Sequence, residues 1–278
     1  MRVLVTGARG FIGRHLCKFL SDQNHDVLEW DLPDQDITGD LVNPRPLDAV
    51  VHLAAVASPG LCDRDPALAF LVNVRGTHNV LKMAVAAGAK RFILASSAHT
   101  YGIPPSYRPT DERAPLSIFD TYTTTKLLSE QICQLFYDSY GLSYTAIRLF
   151  NGYGPGQPAG YFIADKIQQA MAGDFDLRDH QVTKDWVYID DVVRAYASTL
   201  ESQFVGAINI GTGIETDLET IANKIAKAFG VQVAIQPTSS PPTHMCADIS
   251  RAKRVLGWEP AVSLEEGLDA TIAAISSR

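Results

Sequence analysis

Tyr122 and Lys126 stand four residues apart, a spacing that puts a phenol and an ammonium on one face of a helix. Such a pair suits abstraction of a proton from a carbinol. A tyrosine ordinarily titrates near pH 10, so a base working near neutrality needs its phenolate favoured by about 4 kcal/mol, at about 1.4 kcal/mol per pKa unit. The ammonium of Lys126, helped by a second positive charge held nearby, is the natural source. Ser97 closes the apolar run Arg91-Phe92-Ile93-Leu94-Ala95-Ser96-Ser97 and offers a hydroxyl that can polarise the same substrate oxygen. Tyrosine and lysine also fall at this spacing on ordinary exposed helices, so the rest of the chain has to decide.

The second positive charge has a candidate carrier. The stretch Thr6-Gly7-Ala8-Arg9-Gly10-Phe11-Ile12-Gly13 follows the apolar run Val3-Leu4-Val5 and opens a segment with helical apolar spacing through Leu20. Strand, glycine-rich turn and helix bring bare backbone against a pyrophosphate: one glycine for the turn, one for the approach of phosphate, one for helix–strand packing. The helix N-terminus adds free N–H groups and partial positive charge. A second strand, Asp26-Val27-Leu28-Glu29-Trp30-Asp31, ends in an acid 18 residues beyond Gly13. A carboxylate there accepts hydrogen bonds from an adenosine ribose and repels a 2′-phosphate, favouring NAD. Arg9 and Arg14, close in sequence, keep NADP as the second reading.

These residues need a scaffold. Ala49-Val50-Val51-His52-Leu53-Ala54-Ala55 reads as a third strand, with His52 a core histidine and small residues at its end. Pro44 and Pro46 leave little room for a helix before it. The segment from Pro66 to Gly88 reads as one long helix with Leu68, Leu71, Val72, Val80, Leu81 and Val85 on its apolar face, and Arg91–Ser97 follows as the fourth strand. Alternation of this kind predicts a parallel α/β sheet, doubly wound, with ligands beyond the carboxyl ends of its strands. Beyond Lys126, Tyr161–Gly173 reads as a helix, Ala207–Gly211 as a returning strand, and Leu218–Phe229 as an amphipathic helix stopped by Gly230.

The 278 residues suffice for one large α/β unit with a smaller lobe, and 46% hydrophobic with 20% charged residues is ordinary globular composition. A net charge of −7 argues against a nucleic-acid partner. Cys17, Cys62, Cys133 and Cys246 lie far apart, giving neither a disulfide framework nor a metal site. No apolar run reaches the roughly 18 residues of a membrane span, and the first strand leaves no room for a signal peptide. A cytoplasmic protein without membrane association is the expectation.

Taken together, the motifs resemble the extended short-chain dehydrogenase/reductases, the NAD-dependent sugar-nucleotide epimerases and dehydratases, over nearly the whole chain. The likeness rests on the glycine turn, His52-Leu53-Ala54-Ala55, Val72-Asn73-Val74-Arg75-Gly76-Thr77, Ser96-Ser97-Ala98-His99-Thr100-Tyr101-Gly102 and Tyr122-x-x-x-Lys126. It continues through Arg148-Leu149-Phe150-Asn151-Gly152-Tyr153-Gly154-Pro155-Gly156, Asp185-Trp186-Val187-Tyr188-Ile189-Asp190-Asp191-Val192 and Ala247-Asp248-Ile249-Ser250. The resemblance implies a Rossmann-type unit over residues 1–150 and about 185–212, and a substrate lobe over about 151–184 and 213–278. It implies Ser97, Tyr122 and Lys126 as the catalytic trio. Gly7, Arg9, Gly10, Phe11, Ile12, Gly13, Asp31, Asp40, Leu41, Leu53, Ala54, Ala55, Asn73, Tyr122 and Lys126 would line the NAD site. Asp40 and Leu41 would lie at the adenine, and Asn73 would support the lysine. Ser97, Tyr122, Asn151 and Lys184 would meet a nucleotide sugar, with Asn151 at its diphosphate. A homodimer through the helices around Asn73 and Leu128 is implied as well.

Departures from the family pattern narrow the reaction. Dehydratases carry an Asp-Glu pair after the catalytic hydroxyl, and decarboxylases usually an acid; this chain has Ala98-His99, so elimination lacks its acid. His99 reads as a loop histidine ahead of a substitute acid. Lys184 stands where relatives have arginine, keeping the charge and losing the fork. The stretch Gln236–Cys246 contains Thr238-Ser239-Ser240-Pro241 in place of an Arg-Pro-Gly-Asp run, and the Asp31–Ala49 connection is short. The expectation is a UDP-glucose/galactose-type 4-epimerase, with an NAD(P)H-dependent 4-ketoreductase of a deoxy-sugar nucleotide as the alternative and a non-catalytic NAD-binding subunit behind both.

Overall fold

The computed structural model describes residues 1–42, 45–103, 108–237 and 243–276; the Thr238–Pro241 stretch and Pro44 lie outside them. The chain runs β1 (Arg2–Thr6), α1 (Phe11–Asp22), β2 (Asp26–Trp30), β3 (Ala49–His52), α2 (Pro59–Arg64), α3 (Pro66–Ala69), a π-helical turn (Phe70–Gly76), α4 (Thr77–Ala86) and β4 (Arg91–Ser97). A 3₁₀ turn (Ala98–Tyr101) leads on to α5 (Thr121–Tyr140), β5 (Ser143–Leu149), β6 (Asn151–Tyr153), α6 (Phe162–Ala172), β7 (Asp176–Leu177) and β8 (Thr183–Tyr188). Then come α7 (Ile189–Glu201), β9 (Gly206–Ile210), β10 (Glu215–Asp217), α8 (Leu218–Phe229), β11 (Ala234–Ile235), α9 (Ser250–Leu256) and α10 (Leu264–Ser276).

Six parallel strands form the main sheet in the order β2-β1-β3-β4-β5-β9. Its strands are apolar on both faces because side chains alternate between two cores. Val3, Val5, Ala49, Val51, Ile93 and Ile147 enter one core, while Leu4, Val50, Phe92, Leu94 and Ala146 enter the other. Strand order reverses direction across β1, so the crevice between β1 and β3 is the switch point where such sheets take ligands. A three-stranded sheet, β10-β8-β6, stands beside it, and β11 pairs with β7.

The single helix expected over Pro66–Gly88 is instead three pieces, α3, the π turn and α4. Side chains hold the wider turn open. Asn73 accepts from the Val56 N–H at 2.7 Å and donates to the Val56 carbonyl at 3.1 Å and to Thr125 Oγ1 at 3.0 Å. The Asn73 carbonyl meanwhile accepts from the Thr77 and Ser129 hydroxyls at 2.5 and 2.8 Å. A π turn of this kind is a frequent mark of a functional site. It also breaks the expected apolar face: Val80 and Leu81 are buried, while Leu68 and Leu71 point outward. The helices over 162–172 and 218–229 form as the sequence indicates, each stopped by a left-handed glycine, Gly173 and Gly230. All four cysteines are free thiols and buried.

Candidate active site

Between β1 and α1 the backbone of Gly7 turns at φ +70°, and a Cβ there would lie 2.7 Å from the Ala54 nitrogen. Gly7 therefore provides both the left-handed turn and the close approach of the loop after β3. At Gly13 a Cβ would meet the Gly7 carbonyl at 2.1 Å, so α1 packs directly on the turn. Gly10 caps α1 with no side-chain hydrogen bond, and no acidic residue occupies the first helical turn. That leaves N–H groups aimed outward for an anion. The cradle is shaped as a pyrophosphate needs.

Asp31 follows β2 and reaches back to the same turn, accepting from the Arg9 N–H at 2.7 Å and from the Leu32 N–H at 2.8 Å. Each carboxylate oxygen keeps capacity for a ribose hydroxyl. The Arg9 guanidinium is turned away, bonded to the Leu32 carbonyl at 2.9 Å and to Asp34 at 2.5 Å. Phe11, Ile12, Leu53, Ala54 and Ala55 are half-buried around the cradle, whereas Asp40 is exposed and Leu41 half-buried against the core. Asn79 pins this segment by donating to the carbonyls of Ile37 and Gly39, both at 3.0 Å. Below the cradle, Ala54, Ala55, Asn73, Ala95 and Lys126 line one narrow cleft, which brings the end of β3, the π turn and α5 together. His52 beneath it is sandwiched between Thr6 and Thr77 hydroxyls at 2.7 and 3.0 Å. Burial holds its pKa down to about 3, as befits a neutral core histidine.

Tyr122 lies in the first turn of α5, fixed by a capping box in which Asp120 accepts from the Thr123 N–H at 2.7 Å. Ser97 sits at the carboxyl end of β4, close enough for its hydroxyl to favour the Tyr122 phenolate. The Ser97 Oγ also accepts from the His99 N–H at 3.2 Å. Lys126, almost wholly buried, lies 5.7 Å from the Tyr122 ring centroid but donates to the Ala95 carbonyl at 2.9 Å.

The electrostatics differ from the sequence-based expectation. Burial pushes Tyr122 up to about 12, while the nearby Ser97 hydroxyl acts in the lowering direction. Burial brings Lys126 itself down to about 8, with Cys62 and Glu130 pulling the other way. Burial thus works against the phenolate, and positive charge beside Tyr122 works for it.

The opposite wall comes from the smaller sheets. Asn151 on β6 donates to the Asp185 carbonyl at 3.1 Å, and Lys184 is its near neighbour on β8, which pairs with β6. The Lys184 ammonium lies 5.9 Å from the Trp186 ring and is lowered by burial. His99, read from the sequence as a loop histidine, lies instead against the reactive tyrosine from the turn that follows β4. The His99 ring packs edge-on against Tyr122, centroids 6.0 Å apart. Its place two residues after Ser97 was the available signal. Behind Ser97, Arg148 forks onto Glu130 at 3.0 and 2.6 Å and donates to Tyr101 Oη at 3.0 Å, while Ser96 donates to Glu130 at 2.5 Å. This buried, fully bonded ion pair ties the ends of β4 and β5 to α5.

A doubly wound sheet with a phosphate-shaped turn at its switch point, and a serine, tyrosine and lysine gathered at the same edge, defines an enzyme of the short-chain dehydrogenase/reductase type. The chain belongs to the NAD-dependent epimerase/dehydratase family, which residues 3–211 match. It is 33% identical to a UDP-glucose 4-epimerase of Mycolicibacterium smegmatis, over 98% of this chain and 97% of that protein. It is 31% identical to UDP-glucuronic acid decarboxylase 6 of Arabidopsis thaliana, over 96% of this chain and 87% of that one. The crystal structure of UDP-glucose 4-epimerase with UDP-glucose from Thermotoga maritima superimposes with a TM-score of 0.89 at 29% identity, covering 100% of this chain and 99% of that one. By this membership the cofactor is NAD and the class of reaction is that of sugar-nucleotide epimerases and dehydratases. Among the described residues no helix is long and apolar enough to cross a membrane.

Proposed function

We propose that the protein is an NAD-dependent 4-epimerase of a nucleotide sugar, with a UDP-glucose/galactose-type substrate. The observation that carries this reading is the Ser97–Tyr122–Lys126 cluster beside the glycine turn, joined to the lack of a carboxylate at Ala98 and His99. NAD, when bound, supplies a nicotinamide able to take a hydride from the sugar carbon and give it back. Gly7, Gly10 and Gly13 hold the pyrophosphate, Asp31 the adenosine ribose, and Lys126 the nicotinamide ribose. Tyr122 takes the proton of the C4 hydroxyl and later returns it, while Ser97 donates a hydrogen bond to the same oxygen. The positive charge that would make Tyr122 a base comes from Lys126 together with an oxidised nicotinamide when it is bound. Asn151 meets the diphosphate, and Lys184 is a further contact to the substrate. With no acid after Ser97, the sugar turns over at C4 without loss of water. Residues 1–150 with about 185–212 carry the cofactor, and about 151–184 with 213–278 carry the sugar nucleotide.

The short Asp31–Ala49 connection and the absence of a basic residue from Thr238 to Pro241 favour a second reading, a 4-ketoreductase of a deoxy-sugar nucleotide. Incubating the protein with nucleotide sugars, with NAD or NADH, and reading products by NMR separates the two. An epimerase interconverts UDP-glucose and UDP-galactose with catalytic NAD that co-purifies. Stoichiometric consumption of NADH on a 4-keto sugar nucleotide, with no interconversion, overturns the first reading.

A further inference from the structure

His99 carries a polar ring atom with nothing to bind, directly beside Tyr122. Its Nδ1 is shielded from water and has no hydrogen-bond partner. The ring stands edge-on to Tyr122, with planes 82° apart, and its backbone N–H holds the Ser97 hydroxyl at 3.2 Å. The residue is thus tied to both groups that meet the reacting oxygen. A buried imidazole nitrogen without a partner is costly unless something arrives to satisfy it. Beside Tyr122, what arrives is the sugar.

We infer that the His99 ring is a substrate contact, its Nδ1 hydrogen-bonding the sugar's 3-hydroxyl or 6-hydroxyl, the two on either side of the C4 hydroxyl that Tyr122 serves, and that this contact selects the sugar. The inference rests on the nucleotide-sugar reading above and deepens it. Burial first, then Lys184, hold the ring well below its usual pKa, at about 4, with Asp120 pulling the other way. An uncharged imidazole nitrogen is one donor or one acceptor, depending on tautomer. Its match is a hydroxyl, which can be either. Ala98 beside it brings no competing polar group.

A site that hydrogen-bonds a substrate hydroxyl rejects the analogue lacking it, because the buried partner is then left bare. The test compares kcat/KM for UDP-glucose and its 3-deoxy and 6-deoxy analogues in the native protein, His99→Leu and His99→Asn, with retained NAD reporting that each variant is folded. The expected result is a loss of about tenfold or more in His99→Leu on UDP-glucose. On the one analogue that lacks the contacted hydroxyl, His99→Leu and native protein should agree within about twofold, since the interaction is already gone. Asn, which carries a polar atom near the place of Nδ1, should recover part of the loss. An equal loss on all three sugars, or none on any, overturns the contact while leaving the epimerase reading intact. Native protein that turns over none of them, and no other nucleotide sugar, removes both.

Discussion

A phenol pushed up to about 12 by burial makes a poor base until a positive charge is placed beside it. Lys126 donates one hydrogen bond to the Ala95 carbonyl and keeps two further N–H donors; 5.7 Å from the Tyr122 ring, its charge together with that of a bound nicotinamide would supply the field. Removal of the phenol should therefore stop the chemistry and spare the cofactor. Tyr122→Phe is expected to lose roughly 10²–10⁴-fold in kcat, the usual worth of a positioned acid–base group, with NAD retained as in the native protein. Turnover near the native rate would dismiss Tyr122 as the base. Asp31 allows a second prediction at this scale. Its carboxylate accepts two backbone N–H groups while Arg9 is tethered to Leu32 and Asp34. In Asp31→Ala the repulsion of a 2′-phosphate disappears and Arg9 is free to swing towards it. The NAD/NADP preference should fall by about tenfold or more, measured by titration of each cofactor; an unchanged ratio would take Asp31 out of the ribose pocket.

Among the elements, the contact between α1 and the turn before it is the tightest. The 2.1 Å that a Gly13 Cβ would leave to the Gly7 carbonyl is backbone against backbone, which no rotamer change can relieve. Gly13→Ala should cost about 3 kcal/mol or more, at the upper end of overpacking penalties. With about 2–4 °C per kcal/mol for a chain of this size, the melting temperature should drop by roughly 6–12 °C, and NAD affinity should fall with it. Gly60, in α2 with open space where a Cβ would go, is the control: Gly60→Ala should melt within about 2 °C of the native protein. Equal melting temperatures for all three proteins would mean that α1 does not pack on the turn as described.

For the whole molecule, α2, α3, the π turn and α5 pack together and expose Leu61, Leu68, Phe70, Leu71, Leu135 and Tyr140. Apolar side chains gathered on neighbouring elements mark an association surface more often than isolated ones do. The homodimer that the family resemblance implies would use these helices. Sedimentation should give a dimer of the 30.3 kDa chain, and Leu135→Glu, which buries a charge in such an interface, should give a monomer with the fold intact. A native protein that sediments as a monomer at tens of micromolar would overturn the arrangement.

Strands, glycine turn and reactive side chains were legible in the residues themselves because each is encoded locally. A run such as Val3-Leu4-Val5 can only be a buried strand between two cores, and Gly7, Gly10 and Gly13 state where backbone must come close. The spacing of Tyr122 and Lys126 likewise needs only one turn of helix. What the sequence could not determine depends on segments distant along the chain meeting in space. The split of the Pro66–Gly88 helix follows from Asn73 finding Val56 and Thr125. The orientation of Lys126 follows from the Ala95 carbonyl of the adjoining strand. The place of His99 against Tyr122 follows from β4 ending and α5 beginning at one edge. Burial, which sets the direction of the Tyr122 and His99 pKa values, is a property of the packed assembly, and only the tertiary structure decides it.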